Sequence, residues 1–212
     1  MTREERLEKQ KQRLIEMKVP EEDLHEQGYR CIAGIDEVGR GPLAGPVVAG
    51  AVILSPDCEI LYLNDSKKLS EKKRELLYDE IMEKAVATGI GVISPARIDE
   101  INILQATYEA MRMAISNLKV QPSVLLNDAV TIPLVEIPQV PIIKGDAKSV
   151  SIAAASIIAK VTRDHMMVEY EEIYPGYGFA SNKGYGSAQH IAALKELGPT
   201  PIHRRTFIKN YT

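Results

Sequence analysis

The 212-residue sequence contains no tryptophan, two phenylalanines and two cysteines, Cys31 and Cys58. Two thiols are too few for the disulfide framework of a small secreted domain, and a reduced, cytoplasmic setting is expected. No apolar run approaches the roughly 20 residues that cross a bilayer. The opening MTREERLEKQKQRL is charged throughout and lacks the apolar centre of a secretory leader, so no membrane association is expected. Basic charge is not in surplus either. There are 26 Lys and Arg against 29 Asp and Glu, a net charge of −3, so the chain lacks the positive excess usual in nucleic-acid binders. The four histidines are scattered, with no zinc-ligand spacing. Internal repeats and low-complexity tracts are missing as well.

What is present is the 45% apolar content of an ordinary globular protein, in a chain long enough to bury a core without covalent staples. Residues 2–18 read as a helix of alternating charge whose apolar positions are chiefly Leu7, Leu14 and Ile15. Such a helix buries little and should stop near Pro20. Val- and Ile-rich runs at 31–35, 46–54, 89–95, 123–128 and 140–146 read as strands. Ser70 is a good N-cap for a helix carrying Leu76, Leu77, Ile81 and Met82. A second helix, 99–118, has Ile101, Leu104, Tyr108, Met111 and Ile115 as its inner stripe. A long helix over 149–174 carries Ala153, Ala154, Ala155 and Ala159, which allow close backbone approach. The Gly/Tyr-rich loop YPGYGFASNKGYG leads into a last helix at 187–197. The pattern predicts an α/β fold, a mixed sheet with helices packed on it. Residues 1–28 read as a helical N-terminal appendage and 29–212 as the one principal domain.

Within the first apolar run, CIAGIDEVGRGPLAGPVVAGAVIL, Asp36 and Glu37 stand side by side. Asp128 and Asp146 each end another apolar run, and strand ends are where reacting groups gather in α/β sheets. Alternation sends adjacent strand side chains to opposite faces, so Asp36 and Glu37 can share a site only where the strand bends or ends. The glycines of GRGP supply such a departure. Four carboxylates converging on one cleft repel one another and resist desolvation unless cations are present. Hard divalent ions, Mg²⁺ or Mn²⁺, answer that problem. The set suits a two-metal site, the ions about 4 Å apart, cleaving a phosphodiester.

The stretches GIDEVGRGPLAGPVVAGAVIL, NDSKKLS, INILQATYEAM, KGDAKSVSIAAASIIAKVTRDHMM, YGFASNKGYG and HRRTF, in that order between residues 30 and 208, closely resemble bacterial ribonuclease HII. The resemblance implies a ribonuclease H-like fold with a five-stranded mixed sheet flanked by helices, and a catalytic domain over 29–212. It further implies metal-dependent hydrolysis of the RNA strand of RNA–DNA hybrids, with cutting at single ribonucleotides embedded in duplex DNA and 5′-phosphate and 3′-hydroxyl products. The family's acidic ligands fall on Asp36, Glu37, Asp128 and Asp146, with Asp36 expected to touch both metals. Gly39, Arg40 and Gly41 fall on its reader of the 2′-hydroxyl, acting largely through backbone, which glycines permit and which distinguishes RNA from DNA. Tyr185 falls on the tyrosine that stacks on the deoxyribose after the scissile site. Asn127 and Ala129, flanking Asp128, stand where the family more often has an apolar residue and Gly, and Asn182 stands where many members have His.

Lys67, Lys68, Lys183, Arg204 and Arg205 are candidate phosphate contacts, Lys67 foremost, although each taken alone reads first as a solvated surface charge. From Ala180 onward, five Lys and Arg face a single acid, Glu196. With the four metal-site acids set aside, basic residues outnumber acidic ones by one across the chain. The negative total therefore does not exclude a nucleic-acid substrate. Arg163, His165 and His203 are expected to be structural or exposed. The expected partner is an RNA–DNA hybrid or ribonucleotide-containing duplex, met by a monomer. A DNA-cutting nuclease of the same superfamily, such as a resolvase, would need the acids but no 2′-hydroxyl reader. A non-catalytic hybrid-binding module would be expected to have lost at least one of the four acids, and all four are present.

Overall fold

Small and β-branched residues, buried on both faces, form strands β1 (Ile32–Val38) and β2 (Val47–Ile53) in a computed structural model that describes residues 2–211. They are joined by β3 (Ala87–Ile93), β4 (Val124–Asp128) and β5 (Gln139–Ile142) in one sheet of order β3-β2-β1-β4-β5. Central β1 runs antiparallel to β2 and parallel to β4. Its pairing with β2 continues through Asp36–Gly50 and Glu37–Ala49, whereas its pairing with β4 stops at Ile35–Asn127. The last three residues of β1 thus have a free edge on the β4 side.

Helices cover both faces of the sheet: α1 (Arg3–Glu26), α2 (Glu71–Lys84), α3 (Pro95–Ser116) and α4 (Val150–Ile173), with short α5 (Phe179–Asn182), α6 (Ala188–Leu197) and α7 (Arg205–Ile208) following. On one face Ile98, Ala106, Ala110 and Met111 of α3 pack on Ile35, Ala49 and Leu125. On the other, Ala154, Ile157 and Ile158 of α4 pack with Leu77 and Ile81 of α2 and Leu14 and Met17 of α1. The contact between α4 and the sheet is unusually close because Gly34 and Gly50 face it. A Cβ on Gly34 would lie 2.1 Å from the Ser151 carbonyl carbon, and one on Gly50 would lie 2.5 Å from the Ala155 oxygen. No helix among the described residues is long and apolar enough to cross a membrane.

Three elements depart from the sequence expectation. α1 does not stop at Pro20 but runs through it to Glu26. Its buried face is Leu14, Met17, Glu21 and Leu24, while Leu7 and Ile15 are exposed. The helix is docked partly by a charge: Glu21 Oε1 accepts from Ser149 Oγ at 2.5 Å and from Ser151 N–H at 3.0 Å, an anion seated at the N-terminus of α4. α3 begins at Pro95 behind the Ser94 cap and is kinked at Asn102 (φ 67°), whose side chain accepts from the N–H groups of Leu104 and Gln105. The kink resets the helical register, so Leu104 faces solvent and Ala106, Ala110 and Ala114 face the sheet. β5 ends at Ile142, and Asp146 lies beyond it in a 3₁₀ turn, Gly145–Ala147, that leads into α4.

The chain leaves β4 through Ala129 at φ +57°, a conformation in which a Cβ is strained. Asn127 is fully buried and donates to Gln139 Oε1 at 2.8 Å; Gln139 also binds the backbone of Ile132. Ala129→Gly should relieve the strain and raise the unfolding free energy by about 0.5–1 kcal/mol in chemical denaturation. An unchanged or lower midpoint would show that the extra freedom of glycine in the unfolded chain outweighs it.

Candidate active site

The open end of β1 is where the acids collect. Asp36 shares the face of Gly34 and is 6% exposed beneath α4, with Ser156 as a hydrogen-bond partner. Its Oδ1 accepts from the Glu37 N–H at 2.8 Å. Burial pushes the Asp36 pKa well above the carboxylate range, the charges of Glu37 and Asp128 push it further, and the Ser156 hydroxyl opposes them. Ser156 Oγ is also 3.0 Å from Ser66 Oγ, so Asp36 is tied to the NDSKK segment. Glu37 points to the other face of the strand by alternation, yet it too feels Asp128, because β1 is about to end. Burial raises the Glu37 pKa, and the Arg40 guanidinium, 3.3 Å away, pulls against it.

Asp128, the last residue of β4, accepts from the Gly145 N–H at 2.7 Å, which fastens β4 to the turn carrying Asp146. The Asp146 pKa is raised by burial, then by Asp65 and Asp128. The four acids predicted from the sequence therefore act on one another in a connected set. Among the described residues, no three His, Cys, Asp or Glu side chains are already drawn together as a metal cage. The donor set is all oxygen, and a divalent cation would relieve the forces that raise Asp36, Glu37 and Asp146. It fits Mg²⁺ or Mn²⁺ and not a soft metal.

Sequence reasoning overlooked Asp65. It caps the 3₁₀ turn Ser66–Lys68, accepting from the Lys67 N–H at 2.9 Å, and it is hydrogen-bonded to Asp146. Its signal was its place before the two lysines of NDSKK, where the lysines drew the attention.

Two hollows flank the acids. One, of about 440 Å³, is lined by Glu37, Val38, Gly39, Arg40, Gly41, Lys67 and Tyr185, so the expected junction readers Gly39, Arg40, Gly41 and Tyr185 meet there with Lys67, the foremost of the candidate phosphate contacts. A Cβ built on Gly41 would lie 3.9 Å from the Tyr185 ring, which places loop and ring opposite each other. The other, of about 720 Å³, lies among Asp65, Asp128, Asp146, Lys68 and Lys144. A third, of about 480 Å³, lies between α1, the segment that follows β2 and the start of α4, beside Lys18, His25 and Cys58.

Lys67 and Lys68 are exposed, and the charge of Lys67 reaches both Glu37 and Asp146. Lys183 is turned onto its own loop, donating to the Ala180 carbonyl at 2.6 Å. Arg205 is exposed, its backbone N–H bound to Asp99. Arg204 is a correction, since it is fully buried and cannot meet a phosphate. Its guanidinium donates to the carbonyls of Gly39, Arg40, Gly45 and Pro46 at 2.5–3.2 Å. Arg163 is likewise sealed in, donating to Pro46, Lys183 and Ala44 carbonyls. Burial lowers the two pKa values to about 10 for Arg163 and about 9 for Arg204, which leaves both charged at neutral pH. Gly39, at φ +90°, could not carry a side chain, because a Cβ would lie 2.4 Å from Arg163 Nε. Asn182 is structural, bridging the Tyr177 carbonyl and the Gly184 N–H.

Comparison with known proteins gives one consistent match. The family model described as Ribonuclease HII matches residues 33–210. The Ribonuclease HII of Lachnoclostridium phytofermentans is 77% identical over 192 residues, covering 91% of this chain and 76% of that protein. That of Enterococcus faecalis is 60% identical over 200 residues, covering 94% and 78%. The crystal structure of the ribonuclease H2 from Pyrococcus horikoshii superposes with a TM-score of 0.69 at 30% identity, covering 83% of this chain and 93% of that one.

Because the Asp36 pKa is raised by folding, its charge destabilises the fold at neutral pH, and the penalty disappears as the pH falls and the group takes up its proton. Asp36→Asn should therefore raise the melting temperature at about pH 7.5 without divalent cations. The gain should shrink at acid pH and on adding Mg²⁺ to the parent. A variant less stable than the parent at neutral pH would contradict this reading of the site.

Proposed function

The chain belongs to the ribonuclease HII family of metal-dependent type 2 ribonucleases H, which act on RNA–DNA hybrids; we propose that it also cuts 5′ of single ribonucleotides embedded in duplex DNA. The observation carrying this reading is the hollow that unites Gly39, Arg40, Gly41, Lys67 and Tyr185 beside Glu37. Backbone without side chains can approach a ribose edge, and the 2′-hydroxyl is the group that separates RNA from DNA. The half-exposed Tyr185 ring, facing Gly41 across the hollow, is suited to stack on the following sugar.

Asp36, Glu37, Asp128 and Asp146 would hold two Mg²⁺ or Mn²⁺ ions, Asp36 being the most buried of the four. Bound there, the metals supply an activated water and a counter-charge for the leaving oxygen, giving 5′-phosphate and 3′-hydroxyl ends. The protein holds the carboxylates in place: the Gly145 N–H orients Asp128, the Glu37 N–H and Ser156 orient Asp36, and Arg40 steadies Glu37. Lys67 offers a cation to the phosphate beside the acids. In this reading residues 29–212 are the catalytic domain of a cytoplasmic monomer that serves ribonucleotide removal from DNA.

Cleavage of a duplex with one ribonucleotide should vanish in excess EDTA and return with Mg²⁺ or Mn²⁺. Persistence in the chelator would exclude the metal mechanism. Asp128→Asn keeps an acceptor for the Gly145 N–H and should lower kcat by about 10³-fold or more while binding changes by less than about threefold. Normal cleavage by that variant would remove Asp128 from the ligand set. The same duplex without the ribonucleotide should remain intact. Equal cutting of both would instead identify a DNA nuclease of this superfamily, and binding without cutting would identify a hybrid-binding module.

A further inference from the structure

The HRRTF segment puts two inward-facing side chains next to each other, His203 and Arg204, at 2% and 0% exposure. His203 is part of a chain of hydrogen bonds whose direction is fixed by its ends. The backbone N–H of Thr200 donates to His203 Nδ1 at 3.0 Å, so the ring proton of His203 sits on Nε2. That atom is 3.0 Å from His190 Nε2, and the other nitrogen of His190, Nδ1, is 2.8 Å from the Tyr185 carbonyl, which can only accept. Two neutral imidazoles thus transmit one orientation from Thr200 to the backbone of Tyr185. Tyr177 and Phe179 enclose the pair, and burial lowers both histidine pKa values, His203 to about 4. Both rings therefore stay neutral at working pH.

Arg204 faces the other way. Its Nη atoms hold the carbonyls of Gly39 and Arg40. In a trans peptide the C=O and N–H point in opposite directions, so this grip turns the N–H groups of Arg40 and Gly41 away from Arg204. Both residues line the hollow. One residue of the segment thus fixes Tyr185 and the next fixes the loop opposite it. We propose that His203, acting through His190, and Arg204 form a brace that sets the spacing and aim of Tyr185 and the Gly39–Gly41 loop, making all three positioning residues for selecting the ribose–deoxyribose junction. This rests on the reading of that hollow given above. Neither prong touches the substrate.

The test compares kcat/KM on a DNA duplex containing one ribonucleotide with kcat/KM on a uniform RNA–DNA hybrid, using the full chain with Mg²⁺. Arg204→Lys keeps the charge but loses the fork. His190→Gln keeps a polar atom near Nε2 and loses the donor to Tyr185, whereas His190→Asn keeps a donor near Nδ1. Arg204→Lys and His190→Gln should lower the ratio of the two values about tenfold or more, and His190→Asn, which keeps the donor to Tyr185 but loses the link to His203, should lower it by only about threefold. Parallel loss on both substrates, following the folded fraction, would reduce the brace to a stability element and overturn the proposal. So would equal behaviour of His190→Gln and His190→Asn. Tyr185→Ala separates the two levels of inference. If it lowers the ratio while the brace variants do not, the brace alone fails; if it leaves the ratio unchanged, the reading of the hollow fails and the brace with it. Should the variants not fold, ¹⁵N chemical shifts of the parent decide: fixed Nδ1–H for His190 and Nε2–H for His203 are expected, and averaged tautomers would overturn the relay.

Discussion

Four negative groups that repel one another have to be held at one end of a buried strand, and most of the surrounding architecture serves that constraint. Asp36 cannot relax toward solvent, because α4 lies directly over its face of the sheet, a proximity that Gly34 and Gly50 make possible. Asp128 and Asp146 are coupled through the Gly145 N–H, so the strand end and the following turn behave as one piece. The polypeptide accepts a local energetic penalty here that a cation bound by a ribonuclease HII can remove. The site is thus built for a charge that the protein does not itself supply.

The second constraint is cationic and hidden. Arg163 and Arg204 lie within the body with backbone carbonyls as partners, an expensive arrangement unless the donors of each fork are used. Six carbonyls, those of Gly39, Arg40, Ala44, Gly45, Pro46 and Lys183, take up those donors. Arg204 holds the GRG loop, Arg163 holds the NKGYG loop at Lys183, and both grip the Pro46 carbonyl, so the pair joins loops about 140 positions apart in the chain. Loops rich in glycine would otherwise be the most mobile parts of the molecule.

Much of this could be read from the residues. Alternation and β-branching located the strands, and an Asp-Glu pair inside an apolar run pointed to the candidate site. Two of the misses, Arg204 and Glu21, share a physical origin, in that they are polar groups working inside the protein. Arg204 looked like a phosphate contact because charge in a sequence is assigned to the surface by default, and nothing local announces four distant carbonyls. Asp65 was passed over because a cap before two lysines resembles an ordinary turn. The face of α1 was misjudged because one of its four buried residues is Glu21, which apolar periodicity does not count. The kink at Asn102 shifted the inner stripe of α3, since a single residue at positive φ ends one helical phase and starts another.

Glu21 ties two parts of the chain that the family match separates, for the model begins only at residue 33. Its carboxylate is anchored on Ser149 and Ser151, within three to five residues of Asp146. A chain trimmed to the matched segment would expose the first turn of α4, and its hydroxyls and amide would turn to water. The leading helix is then a buttress: it clasps the start of α4, the helix that directly follows the turn on which an acid of the cleft is mounted.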